Sequence, residues 1–422
     1  MTGMAEMLRD KARMATRFYG KWDVGMATAA HTPKGRGYQR SLIYFHHEVN
    51  HWTSTFWDPT GDTNYFPTCA KIRPEYRPVD MWYSNASYEG PFPGPQRGQE
   101  NSTAYNGRWP VNVSLCDLDM NTSCPPYPGW PGALTAGCTY EDDLFKGQLL
   151  SDLAEYDPAG QGDSGLFVFW APHVVHSPLQ VPPSFLAQFD HVVDWRRRRY
   201  LAMVGWLDHA VGEVLDAFAA KGMQDELLVV FSADNGGAVY DSGAGGASNF
   251  PLKVSQHQST RSPLLCAFFS FLYTPMKQAV AYHSCSSSSS YLLTAPDACP
   301  LSQGGKASNW DGGIRVNAFV SGNVLPPARR GIKATGLSTS FDWLATFADF
   351  MSLSAAEIVD EQAAAAGLPG VDSISLWPWW NGTSEVSPRR SYAIGGRGRC
   401  VKRRVGTQPW CRGSSSTCGG QQ

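Results

Sequence analysis

The sequence predicts an α/β protein with a mainly parallel central sheet and helices on both of its faces. Three observations carry that expectation. Two short continuous apolar runs, Leu166 to Trp170 (LFVFW) and Leu227 to Ser232 (LLVVFS), have the length and composition of strands covered on both sides. Between them Tyr200, Val204, Leu207, Val211, Leu215 and Phe218 recur at helical spacing, and Gly222 stands where a helix C-cap belongs. Strand, helix, strand is the unit from which parallel sheets are built.

The remaining elements follow in chain order. Residues 1–20 (MTGMAEMLRDKARMATRFYG) lack the long apolar stretch of a signal peptide. Residues 70–140 are rich in Pro, Gly, Asn and Tyr without periodicity, and are expected to form a long surface loop. Sequons at Asn85, Asn101, Asn112 and Asn121 fall in that stretch, and another lies at Asn381. Cys116, Cys124 and Cys138 share the region and offer a disulfide, so a glycosylated, secreted, extracellular or lysosomal chain is expected. Arg196 to Arg199 open the helical pattern and read as a solvated face. Val316 to Ser321 (VNAFVS) reads as another strand, and Phe341, Leu344, Phe347 and Phe350 as another helix with Ser340 as N-cap. With 422 residues, 42% hydrophobic and 17% charged, the chain has material for a large core. A net charge of −2 without a long basic stripe argues against nucleic-acid partners. No run of 18 apolar residues occurs, so no membrane span is expected.

In open α/β sheets functional groups gather at the carboxyl ends of strands. The run LLVVFSADNGG puts Asp234 and Asn235 at such an end. Both carry hard oxygen donors suited to Ca²⁺ or Mg²⁺, and Gly236 and Gly237 allow the chain to turn sharply behind them. Taken alone, the same pattern is more often an Asx turn capping a strand. The segment after Trp170, APHVVHSPLQVP, occupies an equivalent place.

Larger blocks add to this. GKWDVGMATAAHTPKGRGYQRSLIYFHH, from Gly20 to His47, resembles the sulfatase block that usually reads GKWHLG followed by HxPxxRGFD. APHVVHSPLQVP resembles the sulfatase block with a catalytic histidine, FSADNGG the one with metal ligands, and GGKASNWDGGIRVNAFVSG the one with a substrate-contacting lysine. GVDSISLWPWWNGTSEVSPRR is similar to the closing segment of that family, and the blocks follow the family order from about residue 20 to 390. HSPLQ, HTPKGRG and SPRR resemble the arylsulfatase B-like (N-acetylgalactosamine-4-sulfatase-like) branch. The resemblance implies an alkaline-phosphatase-like fold and hydrolysis of sulfate esters on small molecules or glycans. It implies a formylglycine nucleophile whose hydrated aldehyde attacks sulfur, and one Ca²⁺ that clamps the sulfate. It assigns Asp234 and Asn235 as metal ligands, His176 as sulfate contact and general acid, Lys21 as contact to nucleophile or sulfate, and Lys306 as contact to sulfate or leaving oxygen. His173 is left as an ordinary loop residue.

Three departures shape what is expected of this chain. No Cys-x-Pro-x-Arg or Ser-x-Pro-x-Arg precedes Lys21, and the family's upstream Asp-Asp pair has no counterpart, so Ca²⁺ is expected to be weakly held. Asp23 stands where the family has histidine, and a carboxylate repels sulfate. Deleting Val254 to Gln303 restores PLKGGKASNWDGG without a gap, which reads as a retained intron, with a genuine low-complexity insertion as the rival. The expectation is thus a catalytic-type domain over 1–392 lacking its N-terminal part, with an irregular tail at 393–422 in place of a small C-terminal domain. Such a chain is expected to be hydrolytically inactive. The alternative is a non-catalytic sulfatase-like protein that binds sulfated glycans.

Overall fold

The computed structural model describes residues 3–46, 49, 51, 54, 80–92, 133–135, 138–158, 164–239, 246–252, 305–306, 308–354, 356–394 and 401–402. The stretch 254–303, the sequons at Asn101, Asn112 and Asn121, and Cys116 and Cys124 lie outside these residues.

The principal sheet has five strands: β1 (Ala15–Lys21), β2 (Arg40–Tyr44), β3 (Trp82–Ser84), β4 (Glu89–Pro91) and β5 (Leu166–Ala171), in the spatial order β4-β3-β2-β1-β5. Central β1 runs parallel to both neighbours, with Phe18 opposite Ser41 on one side and Phe169 on the other. The β3–β4 hairpin adds antiparallel at the far edge, so the sheet is mixed. This hairpin corrects the expectation of loop throughout 70–140. Asn85 makes the turn: its side-chain oxygen accepts from the amides of Ser87 (2.9 Å) and Tyr88 (2.8 Å). The sequon asparagine is therefore also the residue whose short amide best stabilises a tight reversal.

Alternating side chains divide the sheet between two helical layers. Leu166, Val168 and Trp170 face α2 (Glu141–Glu155) and α3 (Trp195–Ala220), where Tyr19, Leu42, Phe145, Leu149, Val214 and Phe218 form the main buried cluster. Phe167 and Phe169 face the opposite layer, which holds α1 (Met4–Asp10) and α4 (Trp343–Phe350). There Phe18 stacks on Phe169 at 5.1 Å between ring centroids and meets Trp22 (5.0 Å) and Tyr38 (5.1 Å) edge to face.

Helix α3 begins where Asp194 accepts from the Arg197 amide at 2.7 Å and ends two residues before Gly222. Its buried face is Ala202, Met203, Trp206, Ala210, Val214 and Phe218. The stripe read from the sequence is a second one: Val204 and Leu215 on it are 40% and 38% exposed. The arginines at its start are not a solvated face. Arg199 is buried and donates to the Leu179 carbonyl (3.3 Å), Arg197 donates to the Gly246 carbonyl (2.7 Å), and Arg198 pairs with Asp190. Backbone carbonyls of neighbouring loops supply the acceptors that solvent was expected to supply.

The strand after α3, β6 (Val229–Ser232), forms as expected, yet it does not join the principal sheet. It pairs antiparallel with β7 (Ala318–Ser321), and Phe231 stacks on Phe319 at 4.8 Å. A cavity of about 3100 Å³ is lined by both β5 and β6. The helix predicted near Phe341 is α4. Its lead-in turn is capped by Thr339, whose backbone and hydroxyl donate to Asp342 (3.2 and 2.7 Å), and not by Ser340. Asp342 also receives both forks of Arg389 in a buried pair, which anchors the SPRR segment to α4. Beyond it, Ala393–Ile394 pairs antiparallel with Val401–Lys402, a short ladder within the tail read as irregular.

Candidate functional site

Three strand ends deliver the predicted side chains. At the end of β1, Gly20 adopts φ 99°, and a Cβ there would lie 1.9 Å from the Ala171 carbonyl oxygen. Only glycine lets β1 and β5 pass so closely before Lys21 emerges. Lys21 Nζ sits 3.4 Å from Asp23 Oδ2, so the exposed aspartate partly neutralises the lysine. At the end of β5, the His176 amide donates to the His173 carbonyl (2.9 Å), closing a turn. His176 Nδ1 then donates to the Ser177 carbonyl at 2.8 Å. That leaves the Nε2 lone pair to accept from Lys306 Nζ, and the two side chains are in direct hydrogen-bonding contact. Burial first, and the Lys306 charge second, push His176 down to about 3. Its ring is neutral at pH 7.

At the end of β6, Asp234 is exposed and Asn235 half-buried. Asp234 Oδ1 accepts from the Asn235 amide at 2.7 Å, an Asx-type contact. Gly236 donates to the Gly313 carbonyl (2.9 Å), and a Cβ on it would lie 1.7 Å from the Gly312 carbonyl oxygen. Gly237 and Asn249 exchange two hydrogen bonds of 2.9 Å, and the Lys306 amide donates to the Gly237 carbonyl at 3.2 Å. The glycines thus let the loop after β6 lie against the Asp311–Ile314 turn while it holds the Lys306 backbone in place. Lys21, His176, Asp234, Asn235 and Lys306 all line the same cavity. Two direct hydrogen bonds join members of this set among the described residues: His176 with Lys306, and the Asn235 amide with Asp234.

Behind His176 lies a buried polar cluster that sequence reasoning missed. His173 is no ordinary loop residue: it is buried, and its ring stacks on His51 at 3.9 Å between centroids. Asp142, at the start of α2, accepts from the backbone amides of His173 (2.7 Å) and Val174 (3.3 Å). His51 lies with Nδ1 3.3 Å from Asp142 Oδ2 and Nε2 3.3 Å from the His176 carbonyl oxygen. Glu141 Oε2 is 3.8 Å from His173 Nδ1. Burial first, and then the proximity of His51, His176 and Lys21, holds His173 well below its ordinary value. The signal was the acidic run Glu141-Asp142-Asp143 ahead of an apolar-periodic segment, a pattern that ordinarily marks an exposed helix start.

Asp234 and Asn235 contribute one carboxylate and one amide, whereas Ca²⁺ takes about six to eight oxygens. Among the described residues no group of three or more His, Cys, Asp or Glu side chains is arranged to hold a metal. These residues do not fit the ion unaided.

The family model named Sulfatase matches residues 1–353. Arylsulfatase J of Mus musculus is 32% identical over 117 residues, which make up 28% of this chain and 18% of that protein. The crystal structures of Ps i-CgsB in complex with k-i-k-neocarrahexaose and of Ps i-CgsB superpose with TM-scores of 0.56 and 0.53. Each is 18% identical, and the superposition covers 96% of this chain and 66% of the other. The chain therefore spans less than a fifth of the curated relative and just under two thirds of the matched structures. At that identity the superpositions show the alkaline-phosphatase-like α/β fold, in keeping with the mixed sheet between helical layers. The family model spans most of the 422 residues and takes in Lys21, His176, Asp234, Asn235 and Lys306: the chain belongs to the sulfatase family.

Proposed function

We propose that the chain serves sulfuric ester hydrolysis of the arylsulfatase B-like type, binding the sulfate of a small molecule or glycan at the cavity rim. The observation that carries this reading is the His176–Lys306 pair on a cavity that Lys21, Asp234 and Asn235 also line. A sulfate monoester presents anionic oxygens and a poor alkoxide leaving group. Lys306 and Lys21 are cationic donors suited to those oxygens. Because His176 is neutral, the proton for the leaving oxygen resides on Lys306 and reaches it directly or by way of His176 Nε2. Asp142 holds the backbone that carries His176.

The nucleophile is a separate matter. The 422 residues contain no Cys-x-Pro-x-Arg or Ser-x-Pro-x-Arg from which a formylglycine could be made, so these residues by themselves are expected to bind sulfate esters without turning them over. A non-catalytic glycan-binding role is the second reading, favoured by Asp23, whose pairing with Lys21 weakens the local positive charge. A carbohydrate ligand suits the reading further, since the superposed Ps i-CgsB structure is a complex with k-i-k-neocarrahexaose. We assign the compartment as lysosomal or secreted, with Asn85 and Asn381 as glycan acceptors on tight turns.

The test is titration of a chromogenic aryl sulfate in the presence of Ca²⁺, with turnover and binding measured separately. Binding that falls about tenfold in Lys306→Met and in His176→Ala supports the site. Binding unchanged in both variants removes it. Metal-dependent turnover by the 422-residue chain, abolished by His176→Ala, would overturn the expected inactivity.

A further inference from the structure

We propose that His51 is a positioning residue for His176: its ring Nε2–H holds the His176 carbonyl and thereby sets which nitrogen of the His176 ring carries the proton. This role rests on reading the His176–Lys306 pair as a sulfate site, and it names what keeps that pair in its binding form.

The loop after β5 is held by its backbone. Asp142 accepts from the His173 and Val174 amides, Tyr140 Oη donates to the Gln180 carbonyl (2.9 Å), and Arg199 donates to the Leu179 carbonyl. His51 reaches His176 itself, with Nε2 3.3 Å from the His176 carbonyl oxygen. A carbonyl oxygen only accepts, so the proton of this contact belongs to His51 Nε2. On the other side of the ring, Nδ1 faces Asp142 Oδ2, also at 3.3 Å. Turning the ring over would set C–H groups against both oxygens and forfeit both contacts. The ring is fully buried and lies between Tyr140 (5.5 Å between centroids, planes 10° apart) and His173 (3.9 Å, 12°), so it has no room to tilt away. Its backbone is pinned too: the His51 amide donates to Gln180 Oε1 (3.0 Å), and its carbonyl accepts from the Glu141 amide (2.7 Å).

The effect passes along two successive carbonyls. The His176 carbonyl, held by His51, fixes the rotation of the peptide that leads into Ser177. The Ser177 carbonyl is then placed to accept from His176 Nδ1 at 2.8 Å. A neutral imidazole has a single ring proton, and with that proton on Nδ1 the Nε2 lone pair is left to face Lys306 Nζ. Released from His51, the peptide can turn, Nδ1 loses its acceptor, and the proton can settle on Nε2. Two N–H donors would then oppose each other where His176 and Lys306 now pair, and the lysine would leave the place from which it meets the sulfate. A space-filling role alone has no such link to the tautomer, because phenylalanine would fill the same slot between Tyr140 and His173.

The experiment is NMR of the full 422-residue chain, isotopically labelled at its histidine ring nitrogens and assigned by single substitutions, alongside titration with a chromogenic aryl sulfate. In the parent, His51 should show a protonated Nε2, and His176 a protonated Nδ1 with a bare Nε2. His51→Phe keeps a stacked ring but removes both of its polar contacts. The His176 ring should then move mainly to the Nε2–H tautomer, and aryl sulfate affinity should fall about tenfold. In His51→Gln the side-chain amide can again donate to the His176 carbonyl, so the parent tautomer should return, with affinity within about twofold of the parent. A parent His51 without a proton on Nε2 would overturn the inference whether or not the variants fold. So would an unchanged His176 tautomer in His51→Phe, or an equal shift in the Phe and Gln variants. A tautomer change in His51→Phe with affinity unaltered would uphold the positioning role and remove the sulfate reading of the His176–Lys306 pair.

Discussion

Lowering the pH from 7 to 5 should cost the parent chain about 2 kcal/mol of stability through His176 alone. In the folded chain this imidazole is pushed from 6.5 down to about 3, by burial first and the Lys306 charge second. The unfolded chain takes up a proton below pH 6.5, while the folded chain refuses it until about pH 3. Stability conferred by the neutral ring is therefore full above 6.5 and is lost as the pH falls toward 3. Each pH unit inside that window costs about 1.4 kcal/mol, and pH 5 lies about 1.5 units into it. Asp143 works in the opposite sense: burial raises it to about 6 despite Lys146, so acidification to pH 5 returns about 1 kcal/mol. The parent curve alone is thus ambiguous, and the comparison with His176→Gln isolates the ring. Gln can still accept from Lys306 and carries no titrating group. Urea denaturation at pH 7, 6 and 5 gives both curves. The parent should lose about 2 kcal/mol more than the variant over that range. Curves that run parallel to within about 0.5 kcal/mol would refute the buried neutral histidine.

Removing one partner of the Asp342–Arg389 pair should be severe, because both ends are buried and the survivor keeps an uncompensated charge; Arg389→Ala is expected to lose about 3–5 kcal/mol by urea denaturation, and a loss under 1 would contradict the burial. Asp23→Asn removes the carboxylate 3.4 Å from Lys21 Nζ, and sulfate-ester affinity should rise about two- to fivefold at low salt, with the gain fading at high salt. Asp142→Asn keeps the shape but weakens acceptance from the His173 and Val174 amides; faster exchange of those two amides and a loss of about 1–3 kcal/mol are expected, and unchanged exchange would remove Asp142 from its positioning role.

What was legible in the sequence, and what was not, divides on whether a pattern has one physical cause. Leu166–Trp170, Leu227–Ser232 and the helix between them were readable because length and apolar continuity suit few other structures. Their pairing was not. Nothing in either run says which edge meets which, and β6 pairs with β7, far along the chain, instead of with β5. Helix α3 shows the same limit on its surface. Its apolar residues form two adjacent stripes, and a single periodicity matches both; the stripe named from the sequence faces the cavity, while Met203, Trp206 and Ala210 fill the core. The candidate site residues were read from blocks in family order, and Lys21, His176, Asp234, Asn235 and Lys306 line one cavity. The buried cluster behind them was hidden because Glu141, Asp142 and Asp143 look like a solvated helix start. Their burial follows from contacts that come from distant positions: His51 and the amides after β5 supply the partners that make buried carboxylates tolerable. A charged residue's surroundings are a property of the fold, so a carboxylate that is cheap at the surface and one that is held by buried donors are written with the same letter.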